Sequence, residues 1–134
     1  MSHFARQYMG LPWVNGAQGP DEFDCGGFFR FIRAKHFNHQ MPIIDVDANR
    51  LKAVLAALKK GSDDQEWVKV DTPSEGDAVL MAHAKYPSHI GIWLDADGGG
   101  VLHCVRGAGV IYSDLNKLRL TGWGKIEYYR HQKN

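Results

Sequence analysis

The segment that most constrains this chain places a cysteine at the start of an apolar helix. It reads Phe23-Asp24-Cys25-Gly26-Gly27-Phe28-Phe29-Arg30-Phe31-Ile32-Arg33. Asp is a favoured helix N-cap, because its carboxylate accepts N–H bonds from the first turn. Cys25 is therefore expected at the first position of a helix over about residues 25 to 37. That helix is apolar around much of its circumference and suits a central buried element, with Arg30 and Arg33 expected solvated or paired at its rim.

Two roles are open to Cys25. The unpaired N–H groups and the positive dipole end of a helix start favour an anion. A thiolate after Asp24 is therefore predicted to have a pKa lowered from about 8.5 toward or below neutrality, which would make it a nucleophile. The alternative is a buried structural cysteine, because free Cys is among the most buried residue types. The segment alone leaves both open.

Two histidines in strand-like sequence favour the nucleophile. His89 opens an alternating apolar run that ends at Leu94, and His103 lies inside a second run over 101–105. The turn signal over 95–100 predicts that the two runs form an antiparallel hairpin. Because the histidines are 14 residues apart, an even number, the simplest register places them on one face. A cysteine with two such histidines supplies a nucleophile, a base and an orienting group.

The order of the elements predicts an α+β fold in a single domain over residues 1–134. A second helix is expected from about Asp47 to Lys60, where leucines and a valine form an apolar stripe. Helices followed by strands predict N-terminal helices, with the cysteine helix central, packed on a C-terminal antiparallel sheet of about five to six strands. The expected strands lie near Trp67, Ala78, His89, His103, Gly109 and Lys125.

Composition excludes several classes of function. Lys plus Arg number 16 and Asp plus Glu number 15, so no charge excess indicates nucleic acid or a membrane surface. No apolar run approaches the roughly 20 residues of a membrane span. The first residues, Met1 to Gln7, lack a signal-peptide core, so synthesis in the cytoplasm is expected.

No metal site is predicted. His36 and His39 lack a second cluster at zinc-site spacing, and the adjacent His103 and Cys104 should point to opposite sheet faces. His83 is expected in a solvent-facing loop that could border the cleft.

Five groups of short motifs, in order, resemble the NlpC-type cell-wall cysteine peptidases. The resemblance covers roughly residues 7 to 115. The Leu-Pro-Trp segment and the arginines of the cysteine helix are most similar to the phage tail-assembly branch. The motifs are Gly10-Leu11-Pro12-Trp13, Gly19-Pro20 with Phe23-Asp24-Cys25-Gly26-Gly27-Phe28, Gly76-Asp77, His89-Ile90-Gly91-Ile92 and Leu102-His103.

The resemblance implies a papain-like fold and a thiol-dependent amide hydrolysis without metal or organic cofactor. Cys25 would attack as a thiolate paired with the His89 imidazolium, and His103 would orient His89. The backbone N–H of Cys25 is the expected oxyanion donor. The implied substrate is the stem peptide of peptidoglycan, commonly cut between D-glutamate and a diamino acid, and phage tail proteins are the implied partners.

Two positions near the expected cleft depart from the family pattern. Gly26 stands where many members carry Ser, next to Asp24 and Cys25. Trp13 stands where many carry a Tyr that is associated with the oxyanion site. An indole N–H donates but does not accept, so Trp13 either partly replaces the phenol or packs as core.

Two alternatives share this fold. One is a non-catalytic tail or wall-binding module, which the intact Cys25, His89 and His103 disfavour. The other is an amidase effector injected into competing bacteria, with the same chemistry and another delivery route. An enzyme made in the cytoplasm would reach the wall only through a phage particle, lysis or secretion.

Overall fold

The computed structural model of the chain describes residues 4–40, 67–84 and 88–131. The second helix predicted from about Asp47 to Lys60 lies outside these residues. The described elements are 3₁₀ turns at Phe4–Tyr8 and Ala96–Gly98, helices α1 (Cys25–Phe37) and α2 (Leu115–Leu120), and strands β1 (Trp67–Val70), β2 (Ala78–Ala82), β3 (His89–Leu94), β4 (Gly100–Val105), β5 (Gly109–Ser113) and β6 (Lys125–His131).

The six strands form one sheet in the order β1-β6-β2-β3-β4-β5. Every pairing in it is antiparallel. Strands β2 to β5 follow one another as a meander, and β6 returns to lie between β1 and β2. The predicted α+β class and the predicted antiparallel sheet of five to six strands are confirmed.

Helix α1 begins and ends where local chemistry predicts. The Asp24 carboxylate accepts the N–H of Gly27 at 2.6 Å, so it caps the first turn. Asn38 ends the helix in the left-handed conformation, with φ 57° and ψ 31°. A Cβ on Gly27 would overlap the carbonyl oxygen of Ala17, so only glycine lets the preceding loop pack against the helix start.

Both faces of the sheet are covered. The face of Ile90 and Leu102 packs against α1 through Phe28, Phe29 and Ile32, all of them buried. Burying each of these side chains contributes about 1.5–3 kcal/mol. The opposite face carries a second cluster, which includes Leu118 of α2. The side chains of His89 in β3 and His103 in β4 belong to this second face. The cluster consists of Val79, Met81, Trp93, Val101 and Leu118.

Arg33 of α1 was predicted to be solvated or paired at the helix rim; it is paired, but it is buried and does not lie at the rim. Its side chain is 0 % exposed, and Nη1 donates to the carbonyl oxygen of Gly76 at 3.0 Å. Nη2 lies 2.9 Å from Nδ1 of His39. Burial lowers the pKa of Arg33 to about 10, and the charge of Asp77 opposes that shift. The helix thus uses this arginine to hold the turn before β2.

The segment before the cysteine helix is fastened to the sheet by backbone hydrogen bonds. The carbonyl oxygen of Leu11 accepts the N–H of Val110 at 2.9 Å, and that of Pro12 accepts the N–H of Phe23 at 3.1 Å. Trp13 and Phe23 form an isolated parallel bridge. These bonds place Trp13 beside the residue that lies two positions before the cysteine.

Candidate active site

Cys25 lies where the start of α1 meets the start of β3. The residue is 8 % exposed, so its sulphur is largely enclosed. Backbone N–H groups of Ile90, Gly26 and Cys25 lie close enough to the thiol to act in the direction that lowers its pKa. Ile90 directly follows His89 in β3, so the thiol is held against the backbone next to that histidine.

The pKa predicted for Cys25 is wrong in direction. Burial raises the pKa of this thiol to about 11, and the negative charge of Asp24 adds to the rise. The N–H groups at the helix start act in the predicted direction, but desolvation outweighs them. A rise from 9.0 to about 11 disfavours the thiolate by about 3 kcal/mol. The resting group is therefore a neutral thiol.

His89 and His103 lie on one face of the sheet and contact each other, as their even spacing predicts. Nε2 of His89 is 2.8 Å from Nδ1 of His103. Gly91 makes this possible, because a Cβ there would overlap Val101 and come within 3.0 Å of the Cβ of His103. Gly91, two residues after His89 in β3, is thus a steric requirement of the histidine pair.

Both imidazoles are neutral at rest, which corrects the predicted thiolate–imidazolium pair. Burial lowers the pKa of His89 well below its ordinary value, and positive charge on His103 or His83 would lower it further. Burial, aided by the charge of Lys117, lowers the pKa of His103 to about 4. The site at rest holds a thiol and two uncharged imidazole rings.

Sequence reasoning missed Ser113, the last residue of β5. Its buried Oγ is 3.0 Å from Nε2 of His103, which extends the polar row to a third member. A signal was present in the sequence. Strand β5 pairs His103 with Ile111, and Ser113 is the diagonal neighbour two residues further on the same face.

Trp123 was missed as well, and it covers His89. Its ring stacks on His89 with centroids 5.0 Å apart and planes 13° apart. His83 stacks on Trp123 at 3.9 Å, and its Nδ1–H donates to the carbonyl oxygen of Gly122 at 2.9 Å. His83 is exposed, as predicted. The stacked rings of His83, Trp123 and His89 therefore extend from solvent to the buried site. No strand or helix pattern surrounds Trp123 in the sequence, which is why periodicity did not find it.

The remaining predicted residues have defined surroundings. The ring of Trp13 is half-buried against the main core, with the guanidinium carbon of Arg106 5.5 Å from its centroid. Its role as an oxyanion donor stays a prediction. Gly26 is buried, and its backbone N–H acts to lower the pKa of Cys25, against the larger effect of burial. Cys104 is fully buried and donates to the carbonyl oxygen of Phe23 at 3.3 Å, and burial raises its pKa to about 12.

Among the described residues, no group of three or more His, Cys, Asp or Glu side chains could hold a metal ion. His36 instead contacts the hydroxyl of Tyr8 at 2.7 Å. None of the helices in those same parts of the chain combines the length and the apolar character needed to cross a membrane.

The sequence profile of the NlpC/P60 family matches residues 10–125, which include all the site residues described above. The chain belongs to the NlpC/P60 family. This NlpC/P60 chain is 27 % identical over 123 residues to the probable endopeptidase p60 of Listeria innocua. The match covers 91 % of the chain and 22 % of that relative. The chain thus spans about a fifth of the length of the relatives it matches.

Solved structures of the family share the fold. The NlpC/p60 domain of the peptidoglycan hydrolase SagA superposes with a TM-score of 0.60 at 21 % identity, over 93 % of this NlpC/P60 chain and 90 % of that domain. A lipoprotein-like NLP/P60 protein from Staphylococcus aureus superposes with a TM-score of 0.58 at 20 % identity, over 92 % of this chain and 38 % of that one. At these identities the likeness establishes the fold alone.

Proposed function

We propose that this chain is a cysteine peptidase that hydrolyses amide bonds in the stem peptides of peptidoglycan. The observation that carries the proposal is the buried His89–His103 pair, with Nε2 and Nδ1 2.8 Å apart, together with Ile90, the next residue after His89 in its strand, whose backbone is near the thiol at the helix start. A neutral imidazole with an ordered partner is a general base, and a thiol next to a base is a nucleophile. The similarity to a probable endopeptidase and to a peptidoglycan hydrolase supports the same chemistry.

The reaction starts from neutral groups. Nε2 of His89 faces His103, so Nδ1 is the nitrogen left to exchange protons. As the sulphur of Cys25 attacks the carbonyl carbon, Nδ1 of His89 takes the thiol proton. His89 then gives that proton to the leaving amine while a thioester forms. It next removes a proton from water, which attacks the thioester and releases Cys25.

Proton transfer coupled to attack suits the directions in which burial shifts the pKa of the two groups. Burial raises the pKa of Cys25 to about 11 and lowers that of His89, so a separated ion pair at rest is disfavoured. Charge develops instead on the substrate oxygen, where the backbone N–H of Cys25 is the proposed donor. Such a donor is worth on the order of 3 kcal/mol in the transition state. Trp13 is proposed as a second donor at the cleft.

The finer assignments rest on the family resemblance of the sequence. We propose a papain-like placement of the cysteine helix on the sheet and cleavage between D-glutamate and the diamino acid. The similarity around Leu11-Pro12-Trp13 supports an association with phage tail proteins. Synthesis in the cytoplasm, followed by action on the wall from a virion tail or after secretion, is part of this proposal.

The test is incubation of the protein with purified peptidoglycan and identification of the released fragments by mass spectrometry. Fragments that end at D-glutamate are expected from the wild type and not from Cys25→Ala. The matched control is Cys104→Ala, which removes the other thiol from a buried strand position that faces the core and should leave cleavage intact. Equal cleavage by Cys25→Ala, or none by a folded wild type, would reject the proposal.

A limiting thiol alkylator gives a test that needs no substrate. Cys25 is expected to be labelled first, because Cys104 is fully buried and burial raises its pKa to about 12, above that of Cys25. Peptide mapping identifies the labelled residue. Preferential labelling of Cys104 would contradict the nucleophile assignment.

A further inference from the structure

We propose that Ser113 is a positioning residue that fixes the proton positions on His103 and, through it, on His89. The inference rests on the proposed function, because it concerns the same proton transfer. Its chemistry can nevertheless be measured in the resting protein without any substrate.

Three buried polar side chains contact one another in a row. Nε2 of His89 contacts Nδ1 of His103 at 2.8 Å, and Nε2 of His103 contacts Oγ of Ser113 at 3.0 Å. All three residues are buried, so water does not compete for these nitrogens. Ser113 occupies the end of β5, where it pairs with Val101 of β4, and that register holds its side chain beside His103.

A pair of neutral imidazoles can share its protons in two directions. In one, Nε2–H of His89 donates to Nδ1 of His103, and Nε2–H of His103 donates to Ser113. In the other, Ser113 donates to Nε2 of His103, and Nδ1–H of His103 donates to Nε2 of His89. Each neutral ring carries one N–H, so the direction at one end sets the direction along the whole row.

Only the first direction leaves His89 able to act as a base. With its proton on Nε2, His89 has a free lone pair on Nδ1 that can take the thiol proton of Cys25. In the second direction Nδ1 of His89 already carries its proton, and no transfer from the thiol is available there. Ser113 must therefore accept, and the acceptor role of one buried hydroxyl decides whether the base is competent.

Ser113 acts on the reaction only through His103, so its role is to position that ring. Burial and the nearby charge of Lys117 hold the pKa of His103 at about 4. His103 is therefore neutral in the resting protein. Ser113 and His103 orient the row and do not carry the transferred proton away from the site.

Removing the hydroxyl of Ser113 should reverse the direction of the hydrogen bond between His89 and His103. In Ser113→Ala, a proton on Nε2 of His103 would be a buried N–H without an acceptor, and buried orphan N–H groups are rarer than orphan acceptors. His103 then favours Nδ1–H, which donates to His89 and moves the proton of His89 onto Nδ1. In Ser113→Thr the hydroxyl remains at the same position, so the original direction is expected to persist.

The experiment compares wild type, Ser113→Ala, Ser113→Thr and Ser74→Ala. Ser74 is the matched control, because its Oγ also bonds a side chain, Nη2 of Arg130 at 2.9 Å. It precedes the start of β2, whereas His89 pairs with Met81 toward the other end of that strand. Three quantities are measured: the protonated nitrogen of His103 from ¹⁵N shifts, the rate of Cys25 alkylation by iodoacetamide at pH 7, and kcat and KM on stem peptides.

In the wild type, the Ser113→Thr variant and the control, His103 is expected to carry its proton on Nε2. In Ser113→Ala the proton should move to Nδ1, and the alkylation rate and kcat should each fall at least about tenfold with KM unchanged. A purely structural serine would lower the unfolding midpoint without changing the tautomer or the ratio of kcat to KM.

Three results would overturn the proposal. The first is a wild-type protein in which His103 is protonated on Nδ1. The second is a folded Ser113→Ala variant with the alkylation rate and kcat of the wild type. The third is a Ser113→Ala variant in which His103 keeps its proton on Nε2. If Ser113→Ala does not fold, the test rests on the tautomer of His103 in the wild type and in Ser113→Thr. A proton on Nδ1 of His103 in either protein would overturn the proposal. Loss of peptidoglycan cleavage from every protein, with the tautomer and alkylation effects present, would reject the proposed function and leave the positioning role standing.

Discussion

Lowering the pH from 7 to 5 is expected to reduce the free energy of unfolding by about 2 kcal/mol through His103 alone. Burial and the charge of Lys117 hold the pKa of His103 at about 4 in the folded protein, against 6.5 for an ordinary histidine. At pH 5 the unfolded chain therefore binds a proton that the folded protein does not. Stability is lost progressively as the pH falls from 6.5 to about 4, the two pKa values of His103. The lowered pKa of His89 acts in the same direction.

The assay is urea unfolding at pH 7 and pH 5 for the wild type and His103→Asn. Asparagine does not titrate, yet its carbonyl oxygen can still accept the N–H of His89. The wild type should lose about 2 kcal/mol more than the variant between the two pH values. Equal losses would show that His103 titrates normally in the folded protein, and would refute the conclusion that burial keeps it neutral.

Three further outcomes follow from the site. Asp24→Asn keeps a cap acceptor and removes the charge, so the pKa of Cys25 should fall in a pH series of alkylation rates; an unchanged pKa would leave burial as its only cause. His89→Ala should lower kcat by about 10²–10⁴-fold and His103→Ala by less, because a base is harder to replace than its orienting partner. Full activity of a folded His103→Ala would place the orienting role elsewhere. Trp13→Phe should lower kcat without unfolding and Trp13→Tyr should recover part of it, whereas equal turnover of Phe and wild type would leave Trp13 as core.

Local chemistry was predictable from the sequence. The cap and the first turn of α1 depend on residues within four positions of Asp24, and the predicted bounds agree with the helix Cys25–Phe37. The β3–β4 hairpin is also local, because its turn follows directly on β3. The contact between His89 and His103 required only that hairpin and an even spacing.

Properties that depend on distant parts of the chain were not predictable. The dipole argument for Cys25 was sound in sign, but the depth of burial that raises its pKa depends on packing against β3 and β4. Arg33 looks like a rim residue in the helix pattern, and its partner Gly76 comes from a turn far along the chain. Trp123 reaches His89 only because its loop folds back over the second sheet face.

The position of β6 between β1 and β2 determines the order in which the strands can pair during synthesis. Strands β2 to β5 pair with sequence neighbours, so they can assemble as the chain is made. Within the described residues β1 pairs only with β6, so Trp67–Val70 must wait for Lys125–His131 to be synthesised. The cysteine, both histidines and the serine that contacts them all precede that strand. Every proposed site residue is therefore synthesised before β6, the strand that completes the sheet.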